Sequence, residues 1–432
     1  MSRENYEIIE NGRIGERYFR FVHGSGITAL VLPKKFSTCF AMFGTKYGSI
    51  DRCFIPSGKS SPITVPDGIA HFLEHKMFEQ PDGRDAFELF AEVGADANAF
   101  TSFDRTAYLF SATEKYDEAL RTLLTFVSQP YYTDASVQKE QGIIAQEIRM
   151  GEDDPRSAVF YRMTESMYKN NPVRVNIAGT VESIAEITPE VLYDCYKTFY
   201  TPKNMVLCVC GDITPETVEA ALDSVYPPDG EYAGAPVRVF PEEPREVCEK
   251  RTFKKMQVAR SLFHIGVKHA VIPSDPAEML RQTVAEDILN EILFGEASDF
   301  YNGLHEKGLL SPKFGTFSES CRYYSLNCLS GSSDDPEAVF SEFMKTVENA
   351  AKNGIGREDF ERCRKVILAR CIRRFDSTEE IASTLLDCEL DGCGLFDDYE
   401  TAARITPEDV ADALEDYRED RVCMSVIAPL DR

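Results

Sequence analysis

The residues best placed to do chemistry are His71, Glu74 and His75, which read H-x-x-E-H within residues 67–78. Imidazoles four residues apart lie about one helical turn apart, so one turn can offer both to a single metal ion. The carboxylate between them then sits beside any water on that ion. Asp67 precedes an apolar-periodic run and predicts an N-cap, with a helix from about Gly68 onward. At 3.6 residues per turn, His71, Glu74, His75 and Phe78 share one face, and Ile69, Phe72, Leu73 and Met77 share the opposite arc. Both arcs call for burial, one in a core and the other against a site. The plainer alternative is a core helix with two hydrogen-bonded histidines and a solvated glutamate.

A hydrolytic zinc site needs three protein ligands and one open position. The helix expected after Asp134 offers Glu140 and Glu147, two turns apart and therefore pointing the same way, beside an apolar stripe of Val137, Ile144 and Ile148. By themselves they read as two solvated acids on a helix flank. Beside a two-histidine helix lacking a third ligand, they become candidates.

These residues sit in a chain of 432, long enough for two or more domains with substantial cores. With 43% hydrophobic and 28% charged residues, its composition is that of an ordinary globular protein. The net charge is −25, from 72 acids against 47 bases, which argues against nucleic-acid binding because phosphate needs basic patches. An acidic cleft for basic peptides is one use of that charge; a solvated acidic surface is the plainer one. Residues 1–7 hold no signal-peptide core, and no apolar run has the length of a membrane span. The 13 cysteines are scattered, some inside apolar strands as at Cys208 and Cys210, and read as reduced thiols of a cytoplasmic protein.

Alternation predicts strands within 17–50, at 18–22, 28–32 and 39–47, ahead of the H-x-x-E-H helix. A short helix over 85–93 ends at Gly94, and a hairpin of two strands follows to residue 112, the first carrying small and polar residues. Helices are expected at about 115–128, 134–151, 156–169, 188–200 and 214–225, with a buried strand at 205–210. Pro227, Pro228, Pro236, Pro241 and Pro244 mark an interdomain linker and argue against regular structure there. The second half follows a similar plan: strands near 251–268 and 314–331, helices near 276–294, 297–307, 335–353, 357–373 and 378–390, then a last helix and strand.

Ile187-Thr188-Pro189-Glu190 recurs as Ile405-Thr406-Pro407-Glu408, an offset of 405 − 187 = 218, about half the chain. The helix-then-strand layout continues without a gap, with Phe199 against Tyr417. Duplication follows: two α/β halves of one topology, divided as an N-terminal catalytic domain over 1–226, a linker over 227–250 and a C-terminal domain over 251–432. The second half has no H-x-x-E-H, so at most one half is a metal site.

His71-Phe72-Leu73-Glu74-His75, then Gly94-Ala95-Asp96-Ala97-Asn98-Ala99-Phe100-Thr101, then Glu140 and Gln146-Glu147-Ile148 together resemble the pitrilysin/insulinase family, the inverzincins. In length the chain is similar to the small-chain subfamily that includes mitochondrial processing peptidases and bacterial relatives. The resemblance implies an α+β fold of two homologous halves, each a mostly antiparallel β-sheet packed with helices, enclosing a chamber. It implies one Zn2+ per chain held by His71, His75 and Glu147, with Glu74 as general base and Glu140 supporting from behind. Ala97, Asn98, Ala99, Phe100 and Thr101 match the family strand that pairs with substrate, where small residues let an extended peptide add as a further strand. Asn98 is either a holder of a substrate carbonyl or an ordinary edge-strand asparagine.

One segment departs from the family pattern. Where members carry an Arg and a downstream Tyr, as in L-R-E-K-R-G-L-A-Y, this chain has Ser311 at the Tyr position and His305 or Lys307 in place of the Arg. The resemblance thus implies a zinc metalloendopeptidase acting on peptides or unfolded segments, as a homodimer or as a heterodimer with a paralogue that lacks the zinc motif. The rival is a non-catalytic peptide-binding or assembly subunit of a hetero-oligomeric peptidase. A metal-storage module fits less well, because three ligands plus a base leave an open, reactive position.

Overall fold

The computed structural model describes residues 6–430; residues 1–5, on which part of the N-terminal reading rests, lie outside the described residues. In chain order the first half carries β1 (Glu7–Asn11), β2 (Glu16–Val22), β3 (Thr28–Pro33), β4 (Cys39–Thr45), β5 (Cys53–Ile55), β6 (Ile63–Thr64), α1 (Ile69–Met77) and α2 (Ala86–Glu92). The hairpin β7 (Ala95–Thr101) and β8 (Thr106–Ala112) follows, then α3 (Tyr116–Val127), α4 (Asp134–Asp153), α5 (Pro155–Met167), α6 (Val181–Ile184), α7 (Pro189–Phe199), β9 (Met205–Gly211) and α8 (Pro215–Val225). Next come β10 (Val237–Arg238), β11 (Arg251–Met256), β12 (Ser261–Val267), α9 (Pro276–Phe294), α10 (Asp299–Glu306), β13 (Gly315–Cys321) and β14 (Tyr324–Ser333). The chain closes with α11 (Pro336–Asn353), α12 (Arg357–Arg373), α13 (Thr378–Asp391), α14 (Asp397–Arg404), α15 (Pro407–Asp412) and β15 (Val422–Pro429). Among the described residues no helix is long and apolar enough to cross a membrane.

Two large sheets have the orders β1-β2-β3-β9-β4-β8-β7 and β11-β15-β12-β14-β13. Five strands correspond one to one. The pair β3·β9 is parallel and so is β11·β15. The remaining pairs, β9·β4, β4·β8 and β8·β7 against β15·β12, β12·β14 and β14·β13, are antiparallel in both sheets. Offsets of 251 − 28 = 223 for β3/β11 and 422 − 205 = 217 for β9/β15 bracket the repeat seen in the sequence. The repeated Thr-Pro-Glu works the same way twice: Thr188 and Thr406 each cap a helix by accepting a backbone N–H three residues on, with proline at the first helical position. The fold is α+β, with antiparallel-rich sheets covered by helices.

The compact units are not the two contiguous halves of the sequence. One comprises Met1–Ile148, Asn176–Val239 and Arg374–Leu395; the other comprises Arg149–Val175, Phe240–Arg373 and Phe396–Arg432. The division at residues 227–250 therefore gives way at two helices. α5, from the first half of the sequence, packs on β12 and β15, while α13, from the second half, packs on β4 and β9. A glycine admits each helix to its sheet. A Cβ on Gly44 of β4 would meet Leu386 Cδ1 of α13 at 2.7 Å, and one on Gly266 of β12 would meet Met167 Sδ of α5 at 2.7 Å. Because α5 and α13 occupy the same place in their repeats, each unit is completed by the helix encoded in the other half.

The proline-rich segment is not wholly irregular. β10 pairs with β5, and the Val239 N–H donates to the Cys53 carbonyl at 2.9 Å. The four N–H donors of Val237, Arg238, Val239 and Phe240, between Pro236 and Pro241, suffice for this short rung. In β9, Cys208 and Cys210 are buried as expected, and burial pushes the Cys210 thiol up to about 12, which makes it unreactive.

Candidate functional site

α1 is seated by glycine rather than by a side-chain cap. Gly68 has φ +86°, and a Cβ there would meet the Ala178 carbonyl oxygen at 2.3 Å, so another residue would push the helix start off the loop beneath it. The expected Asp67 cap does not form. Its carboxylate pairs with Arg52 instead, because a half-buried charge is held better by a guanidinium than by a backbone dipole. Burial raises the Asp67 pKa against that attraction.

From this start the two arcs separate as the periodicity requires. Ile69, Phe72, Leu73 and Met77 are buried in the core, where α1 meets β7, β8 and α7. The other arc meets α4. His71 Nε2 lies 3.5 Å from Glu147 Oε1, and His75 Nε2 lies 3.6 Å from Glu147 Oε2. The two rings are 4.5 Å apart. His71, His75 and Glu147 each offer a ligand atom, all within 4.8 Å of one another, and among the described residues no other such group occurs.

The spacing fits a metal ion. Bonds of about 2.0–2.2 Å in a tetrahedral zinc site put ligand atoms about 3.3–3.6 Å apart, and each imidazole has that spacing to one of the two Glu147 oxygens. His75 Nδ1 is 3.0 Å from Glu140 Oε1. That bond holds the proton on Nδ1 and leaves the Nε2 lone pair for Glu147's side of the site, the usual arrangement behind a metal-binding imidazole. Burial works to lower the His75 pKa, but the Glu140 bond and the charges of Glu74, Glu140 and Glu147 overcome it and raise the value. The bond to His71, followed by both imidazole charges, lowers the Glu147 pKa against burial. Carboxylates around two imidazoles are a donor set that could hold a cation.

Glu74 is 8% exposed. Its Oε2 accepts a hydrogen bond from Thr101 Oγ1 at 2.6 Å. Thr101 ends β7, the terminal strand of its sheet, so the segment 97–101 borders the cluster along a strand with one open edge. Asn98 is exposed there, and its Oδ1 accepts the N–H of Ala99 at 2.9 Å, so its oxygen is engaged locally. Beside Glu74 and His75 opens a groove of about 530 Å³, walled in part by Phe78, Phe87, Ala99, Lys139 and Ile143. Phe78 and Phe87 stack at 4.4 Å.

Sequence reasoning did not single out Phe87, Lys139 or Ile143. The available signal was Ile143, an apolar residue off the main stripe of α4 and 45% exposed. His305, Lys307 and Ser311 belong to the second unit, where the His305 ring stacks on Tyr301 at 5.6 Å.

Comparisons with known proteins give the family. The family described as insulinase (peptidase family M16) matches residues 54–181, which contain H-x-x-E-H and Glu147, and the family described as peptidase M16 inactive domain matches residues 186–367. The uncharacterized zinc protease YmfH of Bacillus subtilis is 38% identical over 429 residues, covering 98% of this chain and 99% of that protein. An M16-like peptidase from Alicyclobacillus acidocaldarius, known as a crystal structure, superposes with a TM-score of 0.91 at 32% identity, covering 100% of both chains. The human mitochondrial-processing peptidase subunit beta is 27% identical over 212 residues, 46% of this chain and 43% of that one. With its paired histidines and Glu147 brought to one point and its full-length likeness to these proteins, the chain belongs to the insulinase family, peptidase family M16.

Proposed function

We propose that this protein is a zinc-dependent metalloendopeptidase that hydrolyses peptides or unfolded segments. The observation carrying this reading is the meeting of His71, His75 and Glu147 with Glu74 alongside on the same helix. His71, His75 and Glu147 would hold one zinc ion, which when bound supplies a Lewis acid and an acidified water. Glu140 fixes the His75 ring through Nδ1. Glu74 takes a proton from the attacking water and returns it to the leaving amine. The open edge of β7 offers main-chain N–H and C=O groups to an extended peptide, and the small side chains of Ala97 and Ala99 let it approach.

We further propose a cytoplasmic location, supported by buried thiols such as Cys208 and Cys210, and a dimer with a second copy or with a paralogue lacking the motif. The name of one relative, a peptidase subunit, supports the second arrangement. A second reading is a peptide-binding or assembly subunit without catalysis. Ser311, standing where family members carry Tyr, favours it.

Metal analysis of the purified protein tests both. About one zinc per chain is expected, and His71→Ala should lose it; stoichiometric zinc in that variant would remove His71 from the ligand set. Glu74→Gln should keep the zinc yet lower cleavage of a peptide substrate about a hundredfold to ten-thousandfold. Wild-type turnover by Glu74→Gln would exclude Glu74 as the base, and zinc binding with no cleavage by the wild-type protein would favour the subunit reading.

A further inference from the structure

We propose that Thr101 is a positioning residue, whose hydroxyl holds the Glu74 carboxylate in the orientation from which it accepts a proton. The proposal rests on the reading of Glu74 as the base. A glutamate carboxylate turns about three side-chain torsions, and its terminal torsion is broad, so nothing in α1 itself fixes which oxygen faces a substrate. The Thr101 bond does. At 2.6 Å it lies in the short range of a hydroxyl donating to an ionised carboxylate, and it engages Oε2 and leaves Oε1 as the oxygen for proton transfer.

Thr101 is itself well held. It pairs with Thr106 across the hairpin, and the Thr106 hydroxyl, fully buried, donates to the Tyr47 carbonyl at 2.8 Å. Thr106 Oγ1 lies 3.4 Å from Thr101 Oγ1. A β-branched side chain on a paired strand has few rotamers, so Thr101 transmits the position of β7 to Glu74 with little slack. β7 is also the strand on which the peptide is proposed to add. The carbonyl to be attacked and the carboxylate that takes the proton are then referred to one strand, through main chain on one side and the Thr101 hydroxyl on the other. Positioning to within a fraction of an ångström is what such support provides.

Zinc-loaded, full-length wild type, Thr101→Val and Thr101→Ser decide the matter. Valine keeps the shape and removes the donor; serine keeps the donor. On a peptide substrate, kcat of Thr101→Val should fall about tenfold to a hundredfold while KM and zinc content stay at the wild-type values, and Thr101→Ser should restore most of the rate. A wild-type kcat in Thr101→Val, or an equal loss in Thr101→Ser, would overturn the proposal. Crystal structures of the same zinc-loaded proteins give a readout independent of turnover. The Glu74 carboxylate should sit on Thr101 in the wild type and the serine variant and leave that position in the valine variant. An unmoved carboxylate in Thr101→Val would overturn the proposal even if no peptide is cleaved. Cleavage undiminished in Glu74→Gln would instead sink the reading of Glu74 as base and leave the structural arm to judge the hydrogen bond alone.

Discussion

The two units build the same five-strand order and put the polar residues of the helix that follows β4 or β12 to different uses. In the first unit α1, after β4, turns His71, Glu74 and His75 towards α4, where Glu140 and Glu147 meet them at a groove. In the second unit α9 follows β12, and its Glu286 and Asn290 are buried. There His269 Nε2 lies 2.7 Å from Glu286 Oε1, and His269 Nδ1 lies 3.0 Å from Ser325 Oγ. Asn290 Nδ2 donates to Asn327 Oδ1 at 3.1 Å, and the Tyr417 hydroxyl donates to Asn290 Oδ1 at 2.6 Å. Both units thus carry a histidine against a glutamate. What separates a candidate site from a structural network is whether the polar groups satisfy one another in the core or remain turned to an opening.

Crossed substitutions would break this comparison most sharply. Glu147→Gln should abolish stoichiometric zinc binding, measured by metal analysis, and leave the second unit folded; Glu286→Leu should retain zinc. The latter strands His269 in the core and should lower stability by about 3–5 kcal/mol in chemical denaturation. Zinc loss from Glu286→Leu at temperatures where it remains folded would mean the two regions are not independent.

A smaller effect is set by pH. His264 lies 6.3 Å from the rings of Phe160 and Phe317, and burial lowers its pKa to about 4. An unfolded histidine titrates near about 6.5. Above that both states are neutral and the contribution is fully present. As pH falls from about 6.5 to about 4, the unfolded chain takes up a proton that the folded chain refuses, and stability drops by at most about 3 kcal/mol. His264→Phe should flatten that part of the curve relative to wild type; superimposable curves would show that His264 is not protected.

The mildest substitution is Glu140→Gln, which keeps the contact to His75 Nδ1 but removes the charge. Zinc affinity should weaken about tenfold to a hundredfold in competition with a chelator, with the stoichiometry unchanged. Unchanged affinity would reduce Glu140 to packing.

Much of this was legible in the sequence, for reasons that differ by residue. The helix at Ile69–Met77 and its two arcs follow from a period of 3.6, and α4 carries Glu140 and Glu147 two turns apart by the same rule. The Ile-Thr-Pro-Glu repeat at Thr188 and Thr406 was visible in the sequence, and it starts a helix at both places because capping is a local hydrogen bond. The Asp67 reading failed because a distant residue, Arg52, competes for the carboxylate. β10 escaped notice because two residues between prolines carry no period.

By itself the sequence determined which groups lie on one helical face, since that depends only on spacing along the backbone: His71, Glu74 and His75 could not be separated by any packing of α1. Tertiary structure alone decided that Glu147 reaches both imidazoles, that Glu140 lies behind His75, and that Thr101 is the partner of Glu74. It also decided that α5 and α13 each complete the sheet of the other repeat. Those contacts join residues from 27 to more than 200 positions apart. An apolar helix face states that it must be covered, and the shape of the surface that covers it, as at Gly44 and Gly266, exists only once the strands have paired.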